Sequence, residues 1–183
     1  MHDVPRIDGA PALPPSPSAH AGTPAVAWWR PAVLAATCGG IGRAPAAPGT
    51  FGAALGTVFA AALAAAALDP VVEAGLLVAV NLLGIPLCTR AARALGRGGD
   101  PGAIVYDEFA SLPMALLVVP AAARTPGVLA AAFVLHRLFD VSKPFPCRRL
   151  ERLPAGLGIM ADDWGASAYV AACLAIGRWL GWL

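Results

Sequence analysis

The acidic residues of this chain fall into three short clusters that could bind a metal ion. Five of its eleven Asp and Glu residues lie in Asp107-Glu108, Asp140 and Asp162-Asp163, each near a Gly- or Pro-rich segment of an apolar, alanine-rich sequence. An ionised carboxylate beside apolar surface is costly unless it is paired or binds a cation. Arg137 and Lys143 lie between the clusters, so the pattern predicts a divalent-metal site that handles phosphate.

The ligand types in these clusters favour magnesium. The chain has four cysteines, and no two of them have the C-x-x-C spacing of a zinc site. The remaining candidate ligands are carboxylate oxygens, which suit Mg²⁺ rather than zinc. The segment Cys38–Arg43 resembles a thiol-phosphatase loop but has one residue too few between cysteine and arginine. The D-x-D-x-T, P-S-G-H and Walker motifs are absent, so oxygen coordination remains.

The paired acids also have a simpler structural explanation. Asp107 and Glu108 would open a helix, where negative charge interacts favourably with the helix dipole. Adjacent helical residues point about 100° apart, so one carboxylate could bind metal while the other orients or caps. Asp162 and Asp163 follow a glycine-rich segment that we expect to be a flexible loop leading to the start of the last helix. Capping there accounts for one aspartate but poorly for two.

The cationic residues have two interpretations as well. Arg137 and Asp140 are three residues apart and share a helix face, and Lys143 precedes the Pro-x-Pro segment 144–146. They form either a helix-end salt bridge before a stiff extended segment, or a site where Asp140 binds metal and the two cations hold phosphate oxygens. Thr50, after a Pro-Gly turn, is expected to cap a helix whose N-terminal amides form either a plain turn or an anion site.

The sequence around these residues predicts an all-α fold. Alanine-rich apolar segments favour helix over strand. We expect a compact, membrane-embedded bundle of about five to six hydrophobic helices, with segments at 52–68, 74–89, 109–123, 127–139 and 164–182. Residues 1–25 are rich in Pro, Ala and Ser and are expected to be a disordered tail, which leaves 26–183 as one helical domain.

Composition indicates contact with a membrane. The chain is 58% hydrophobic and 13% charged, with a mean hydropathy of +0.68, well above that of an ordinary soluble domain. Spanning a bilayer takes roughly 20 apolar residues, so 164–182 is long enough while 52–68 and 74–89 are borderline. An unusually apolar soluble bundle is the alternative. A net charge of +2 is too small to indicate nucleic-acid binding.

The direction of successive helices places the acidic clusters at one end of the bundle. If the helices run back and forth, the segments 38–51, 90–108 and 140–163 meet at the same end. Of the thirteen Lys and Arg residues, eleven belong to that end and only Arg124 and Arg178 to the other. Cytoplasmic loops carry such an excess, so we expect the acidic site to face the cytoplasm.

Four motifs in a fixed order resemble those of a known family. They are PGTFG at 48–52, IVYDE at 104–108, HRLFDVSKPFP at 136–146 and GLGIMADD at 156–163. They are similar to the motifs of the phosphatidylglycerophosphatase A family, and the resemblance covers about residues 33–175. It implies an all-helical, magnesium-dependent phosphatase that converts phosphatidylglycerophosphate to phosphatidylglycerol and phosphate at bacterial inner membranes.

The resemblance also implies functional residues. The resemblance assigns substrate binding to Arg137, Lys143 and Thr50. It assigns catalysis and metal binding to the clustered carboxylates, which are Asp107, Glu108, Asp140, Asp162 and Asp163. The chain departs from the family pattern at four neutral positions, which are Ala53, His136, Ser142 and Ala155. No departure removes a charged group, so these differences bear on substrate fit rather than on chemistry.

We therefore predict a membrane-associated phosphomonoesterase of phospholipid biosynthesis, with phosphatidylglycerophosphate as substrate and Mg²⁺ as cofactor. The alternative is a small membrane transporter or channel whose acidic cluster binds a cation in transit. Such a protein would carry polar residues along its helices, whereas these helix interiors are nearly all Ala, Leu and Val. A phosphatidyltransferase is a further alternative, but its D-G-x-x-A-R-type signature is absent.

Overall fold

The computed structural model describes residues 29–96 and 101–183, which form seven α-helices and no strand. The predicted all-α class is therefore confirmed, and the predicted tail at 1–25 lies outside the described residues. The α-helices are α1 (Pro31–Ala36), α2 (Pro48–Ala66), α3 (Pro70–Ala94), α4 (Tyr106–Ala115), α5 (Pro126–Ser142), α6 (Cys147–Leu150) and α7 (Gly156–Trp179). Short 3-10 turns lie at Ile41–Arg43, Leu116–Val118 and Ala121–Ala123.

Three helices begin earlier than the sequence patterns predict because each starts with a proline. Pro48, Pro70 and Pro126 occupy the first turns of α2, α3 and α5. A proline is tolerated there because the amide hydrogen that it lacks would have no partner within the helix. Asp69 and Thr125 accept backbone hydrogen bonds and cap α3 and α5. The predicted starts at 52 and 74 are therefore four residues late, and the predicted start at 127 is one residue late.

The largest correction concerns the glycine-rich segment before Asp162. This segment was predicted to be a flexible loop, but it is the first turn of α7, which begins at Gly156. A Cβ atom at Gly156 would lie 2.1 Å from the backbone oxygen of Ile85, so glycine is required for close packing against α3. The predicted helix at 109–123 also ends early, at Ala115, and continues as a 3-10 turn.

The core has two apolar clusters on either side of the short helix α4. One cluster packs α1 and α3 against α4 and α7, and the other packs α2 and α5 against the same two helices. A buried amide joins three of these helices, because Asn81 Nδ2 donates to the Ala110 oxygen and Trp164 Nε1 donates to Asn81 Oδ1. The central position of α4 brings its first turn into contact with the ends of its neighbours.

Three helices are long and apolar enough to cross a membrane, namely α2, α3 and α7. In the most apolar stretches of α2 and α3, only 28% of the residues are buried inside the protein. The outward surface includes Val58, Leu82 and Leu83, all largely exposed. A soluble bundle would bury such a surface, whereas a membrane protein presents it to lipid. Because α2 and α3 begin earlier than predicted, they are 19 and 25 residues long, which is enough to span a bilayer.

The end of the bundle away from the acidic clusters contains a buried ion pair. Glu73 of α3 and Arg124, which precedes α5, are 4% and 8% exposed, and their side chains approach to 2.5 Å. Arg124 Nε also donates to the Val119 oxygen at 2.9 Å. This pair holds α3 against the segment between α4 and α5.

We expect the Arg124→Ala substitution to destabilise the protein by about 3–5 kcal/mol, because it leaves a buried carboxylate without its cation. Thermal or denaturant unfolding in detergent would measure the loss. The exposed Arg93→Ala substitution is the control and should change stability little. If replacing both partners, Glu73→Gln with Arg124→Met, proved as damaging as Arg124→Ala alone, the unpaired charge would not be the cause.

Candidate active site

Three buried carboxylates converge where α4 and α7 cross. Asp107 and Glu108 lie in the first turn of α4, and Asp163 lies in the second turn of α7. One oxygen from each of the three side chains lies within 4.8 Å of the other two. The three residues are between 2% and 8% exposed. We call this group the carboxylate cluster.

Two cations and two further acids border the carboxylate cluster. Arg137 of α5 lies 2.5 Å from Asp140 and 3.4 Å from Glu108, and so connects these two acids. Lys143, directly after α5, donates to Asp162 at 2.8 Å. All five predicted acids and both predicted cations therefore lie in one region, with Asp140 and Asp162 outside the cluster itself.

Neighbouring acids on one helix can contact different partners because of helix geometry. Successive residues on a helix point about 100° apart. In α7 this directs Asp163 into the carboxylate cluster and Asp162 towards Lys143. In α4, by contrast, Asp107 and Glu108 both reach the cluster. The longer side chain of Glu108 also reaches Arg137.

The carboxylate cluster concentrates negative charge in a buried position. Burial raises the pKa of Glu108 to about 7, a hydrogen bond with Asp107 opposes the shift, and repulsion from Asp140 adds to it. Glu108 Oε2 is buried and has no hydrogen-bond partner in 29–96 or 101–183. Hard oxygen ligands with excess negative charge fit a divalent cation such as Mg²⁺, and a bound cation would replace the proton on Glu108.

Lys143 keeps its positive charge despite partial burial. Burial alone would lower the pKa of Lys143, but its hydrogen bonds and charge interactions with Asp162 and Glu151 raise the pKa above the ordinary lysine value. The Nζ atom lies 3.0 Å from Glu151. Lys143 is therefore a fixed cation beside the carboxylate cluster, suited to holding an anion rather than to exchanging a proton.

The start of α2 packs directly onto the carboxylate cluster. A Cβ atom at Gly49 would lie 2.0 Å from Glu108 Oε1 and 3.0 Å from an Arg137 nitrogen. Gly52 also packs against the start of α4, where a Cβ would lie 2.7 Å from the Val105 oxygen. Only glycine permits these approaches. Sequence reasoning missed this role, and the available signal was the spacing of small residues on one face of α2.

Thr50 follows Gly49 in the first turn of α2 but is not the helix cap that the sequence predicts. The N-cap of α2 is Ala47, in a left-handed conformation with φ of 47°, and Thr50 is the third residue of the helix. Its backbone amide donates to the Ala47 oxygen at 2.9 Å. Thr50 is partly buried at the helix end that faces Glu108, where an anion would be favoured.

A layer of small polar residues beneath the cluster was also missed. Ser111 is one turn after Asp107, and its hydroxyl lies 3.2 Å from His136 Nε2 of α5. Ser167 is one turn after Asp163 and is buried. The i, i+4 spacing of each serine from an aspartate is the signal that could have identified them. This layer separates the charged residues from the aliphatic core.

Comparisons with known proteins show which family the chain resembles. The sequence model of the phosphatidylglycerophosphatase A family matches residues 34–178. A Bacteroides thetaiotaomicron protein, provisionally named a phosphatidylinositol-3-phosphatase, is 35% identical over 153 residues, or 81% of this chain and 94% of that protein. No solved structure matches the chain.

Two relatives carry the family name itself. Phosphatidylglycerophosphatase A of Haemophilus influenzae is 36% identical over 143 residues, which cover 77% of this chain and 85% of that protein. Phosphatidylglycerophosphatase A of Escherichia coli is 37% identical over 93 residues, which cover 50% of this chain and 52% of that protein. The family match includes every residue of the carboxylate cluster and both neighbouring cations. This chain belongs to the phosphatidylglycerophosphatase A family.

Proposed function

We propose that this chain hydrolyses the terminal phosphomonoester of phosphatidylglycerophosphate, with Mg²⁺ held by Asp107, Glu108 and Asp163. Family membership supports the phosphatase activity and the lipid substrate. The observation that carries the metal proposal is the convergence of three buried carboxylates whose oxygens lie within 4.8 Å of one another. Buried like charges are unstable together unless a proton or a cation neutralises them.

The substrate phosphate would be held by Arg137 and Lys143. Both side chains already lie against acids at the edge of the cluster, so their positive groups are oriented before substrate binds. A planar guanidinium suits two phosphate oxygens, and an ammonium supplies a compact charge. Asp140 and Asp162 hold these cations in position.

The chemistry then depends on bringing water and phosphate together. When bound, Mg²⁺ supplies positive charge that neutralises the phosphate and makes the attacking water more acidic. A carboxylate oxygen that is not used as a ligand can accept a hydrogen bond from that water and orient it for in-line attack. The start of α2, where Gly49 packs against Glu108, adds the positive end of a helix dipole, which favours an anion. Hydrolysis releases phosphatidylglycerol and inorganic phosphate.

The reaction would take place at the cytoplasmic face of a bacterial inner membrane. Three apolar helices support membrane association. Among the described residues, Arg90, Arg93, Arg148, Arg149 and Arg152 lie in or next to the segments at the end of the bundle that holds the carboxylate cluster. Arginine and lysine accumulate on the cytoplasmic side of membrane proteins, so this distribution supports the proposed orientation. The lipid headgroup would then reach the cluster from the inner leaflet.

The test is phosphate release from phosphatidylglycerophosphate by the purified protein in detergent micelles. We expect release with Mg²⁺, loss of activity with a chelator and recovery when Mg²⁺ is added back. Because ligand binding to the native state stabilises it, Mg²⁺ should also raise the thermal midpoint. If the protein released no phosphate with or without Mg²⁺ and conducted cations across vesicles instead, the transporter alternative would replace this proposal.

A further inference from the structure

A basic cavity opens beside the carboxylate cluster, on the segment between α5 and α7. It has a volume of about 590 Å³, and four cations line it, which are Lys143, Arg148, Arg149 and Arg152. We call it the basic pocket. Lys143 links this pocket to the acids next to the cluster, since its Nζ lies 2.8 Å from Asp162, the neighbour of Asp163. None of the three arginines forms an ion pair with a residue in the described ranges. Their charges are therefore available to an anionic ligand.

The wall of the basic pocket is held in place by side-chain contacts. The Arg149 guanidinium lies 4.8 Å from the centre of the Phe145 ring. The Tyr169 hydroxyl of α7 donates to the backbone oxygen of Phe145 at 2.5 Å. Cys147 packs closely against Gly165, where a Cβ atom would lie 2.7 Å from its sulfur. These contacts attach α6 and its arginines to the helix that carries Asp163, which fixes the pocket relative to the cluster.

The opposite side of α6 is apolar. A groove of about 600 Å³ runs between α6 and α7 and is lined by residues such as Leu150, Leu153, Leu157 and Trp164. Pro146 lines both this groove and the basic pocket. Trp164, in the same helix as Asp163, also lines the groove. Helix α6 therefore separates a basic surface from an apolar one, as expected where a lipid headgroup joins its acyl chains.

The substrate chemistry of the family matches these two surfaces. Phosphatidylglycerophosphate carries a diacylglycerol, a phosphodiester, a polyol and a terminal phosphomonoester. The substrate named for the Bacteroides relative, a phosphatidylinositol 3-phosphate, has the same order of groups. If the terminal phosphate lies at the cluster, the phosphodiester lies one polyol away, towards the acyl chains. The basic pocket fits that position, because Lys143 joins it to Asp162, the neighbour of Asp163, and Pro146 lines both the pocket and the apolar groove.

We propose that the basic pocket binds the phosphodiester of the lipid substrate, with Arg148 and Arg149 as its principal contacts, and so selects lipids that carry a second phosphate. This inference rests on the proposed function. It predicts discrimination against phosphatidic acid, whose single phosphate is attached directly to diacylglycerol. Arginines placed only to attract an anionic membrane would not discriminate between two lipids with the same acyl chains.

The experiment compares two substrates in uncharged detergent micelles, which remove general attraction to an anionic surface. Phosphate release from dioleoyl phosphatidylglycerophosphate and from dioleoyl phosphatidic acid is measured for the wild type and for the double variant R148Q/R149Q. Since charged hydrogen bonds are lost only for the phosphodiester, we expect kcat/KM to fall about tenfold more for phosphatidylglycerophosphate, mainly through KM. The exposed Arg93, at the same end of the bundle, supplies the control R93Q, which should leave the ratio of the two substrates unchanged.

A binding measurement separates this proposal from the proposed function. Glycerophosphoglycerol contains the phosphodiester but no phosphomonoester, and its binding can be measured by calorimetry or NMR without turnover. We expect the double variant to bind it about tenfold more weakly than the wild type. If this difference appears while no phosphate is released, the pocket assignment stands and the phosphatase proposal fails. Phosphate release with equal losses on both lipids, or with unchanged binding, would overturn the pocket assignment alone.

Discussion

The Asp163→Asn substitution is expected to reduce phosphate release about a hundred- to a thousandfold while the protein stays folded. Asp163 is 2% exposed and contributes an oxygen to the carboxylate cluster. Asparagine has nearly the same shape but no charge, so the site loses part of the negative charge proposed to hold Mg²⁺. Because Asp107 and Glu108 are no longer repelled by a third charge, the thermal midpoint should be unchanged or higher. Phosphate release and thermal unfolding would be measured on the same preparation.

The control for Asp163→Asn is the same substitution at Asp69, at the other end of the bundle. Asp69 caps α3 by accepting a hydrogen bond from the Val71 amide at 2.9 Å. Asparagine is about as good a helix cap, so both activity and stability should remain close to those of the wild type. The metal proposal also predicts that Mg²⁺ stabilises the wild type but not Asp163→Asn. A well-folded Asp163→Asn protein with wild-type turnover would remove Asp163 from the active site.

The Gly49→Ala substitution is expected to lower activity by about a hundredfold without unfolding the protein. The added methyl group would lie 2.0 Å from Glu108 Oε1 and 3.0 Å from an Arg137 nitrogen, so both side chains must move. These atoms are the ends of flexible side chains, which can shift at small cost to folding. A displacement of about 1 Å is nevertheless large for catalysis, because reacting groups must be closely aligned. Activity and thermal unfolding together would separate the two effects.

Gly75→Ala is the matched control on the neighbouring helix. Gly75 lies within α3, and nothing approaches the position of its absent Cβ within 4 Å. Alanine there should stabilise the helix by about 0.5–1 kcal/mol and leave turnover unchanged. If Gly49→Ala unfolded the protein as well as inactivating it, its effect would be structural. Unchanged activity in Gly49→Ala would show that Glu108 and Arg137 need not occupy the positions seen here.

The helical class and the candidate residues followed from local sequence. Alanine-rich apolar segments favoured helix over strand, and the five acids were identified because charge is costly in such a setting. Helix boundaries were less predictable, since a proline ends a helix when it is internal but begins one at the first turn. Pro48, Pro70 and Pro126 all belong to the second case. The same ambiguity affected the glycines before Asp162, which serve close helix packing rather than loop flexibility.

Local sequence predicted an apolar helical bundle, resembling the phosphatidylglycerophosphatase A family, with acids and cations gathered at one end. Which carboxylates share a site depends on how the helices pack. Asp163 meets Asp107 and Glu108, whereas the adjacent Asp162 binds Lys143. The reason is that helix periodicity sets the angle between neighbouring side chains, but the packing of α7 against α4 sets which of the two faces the cluster.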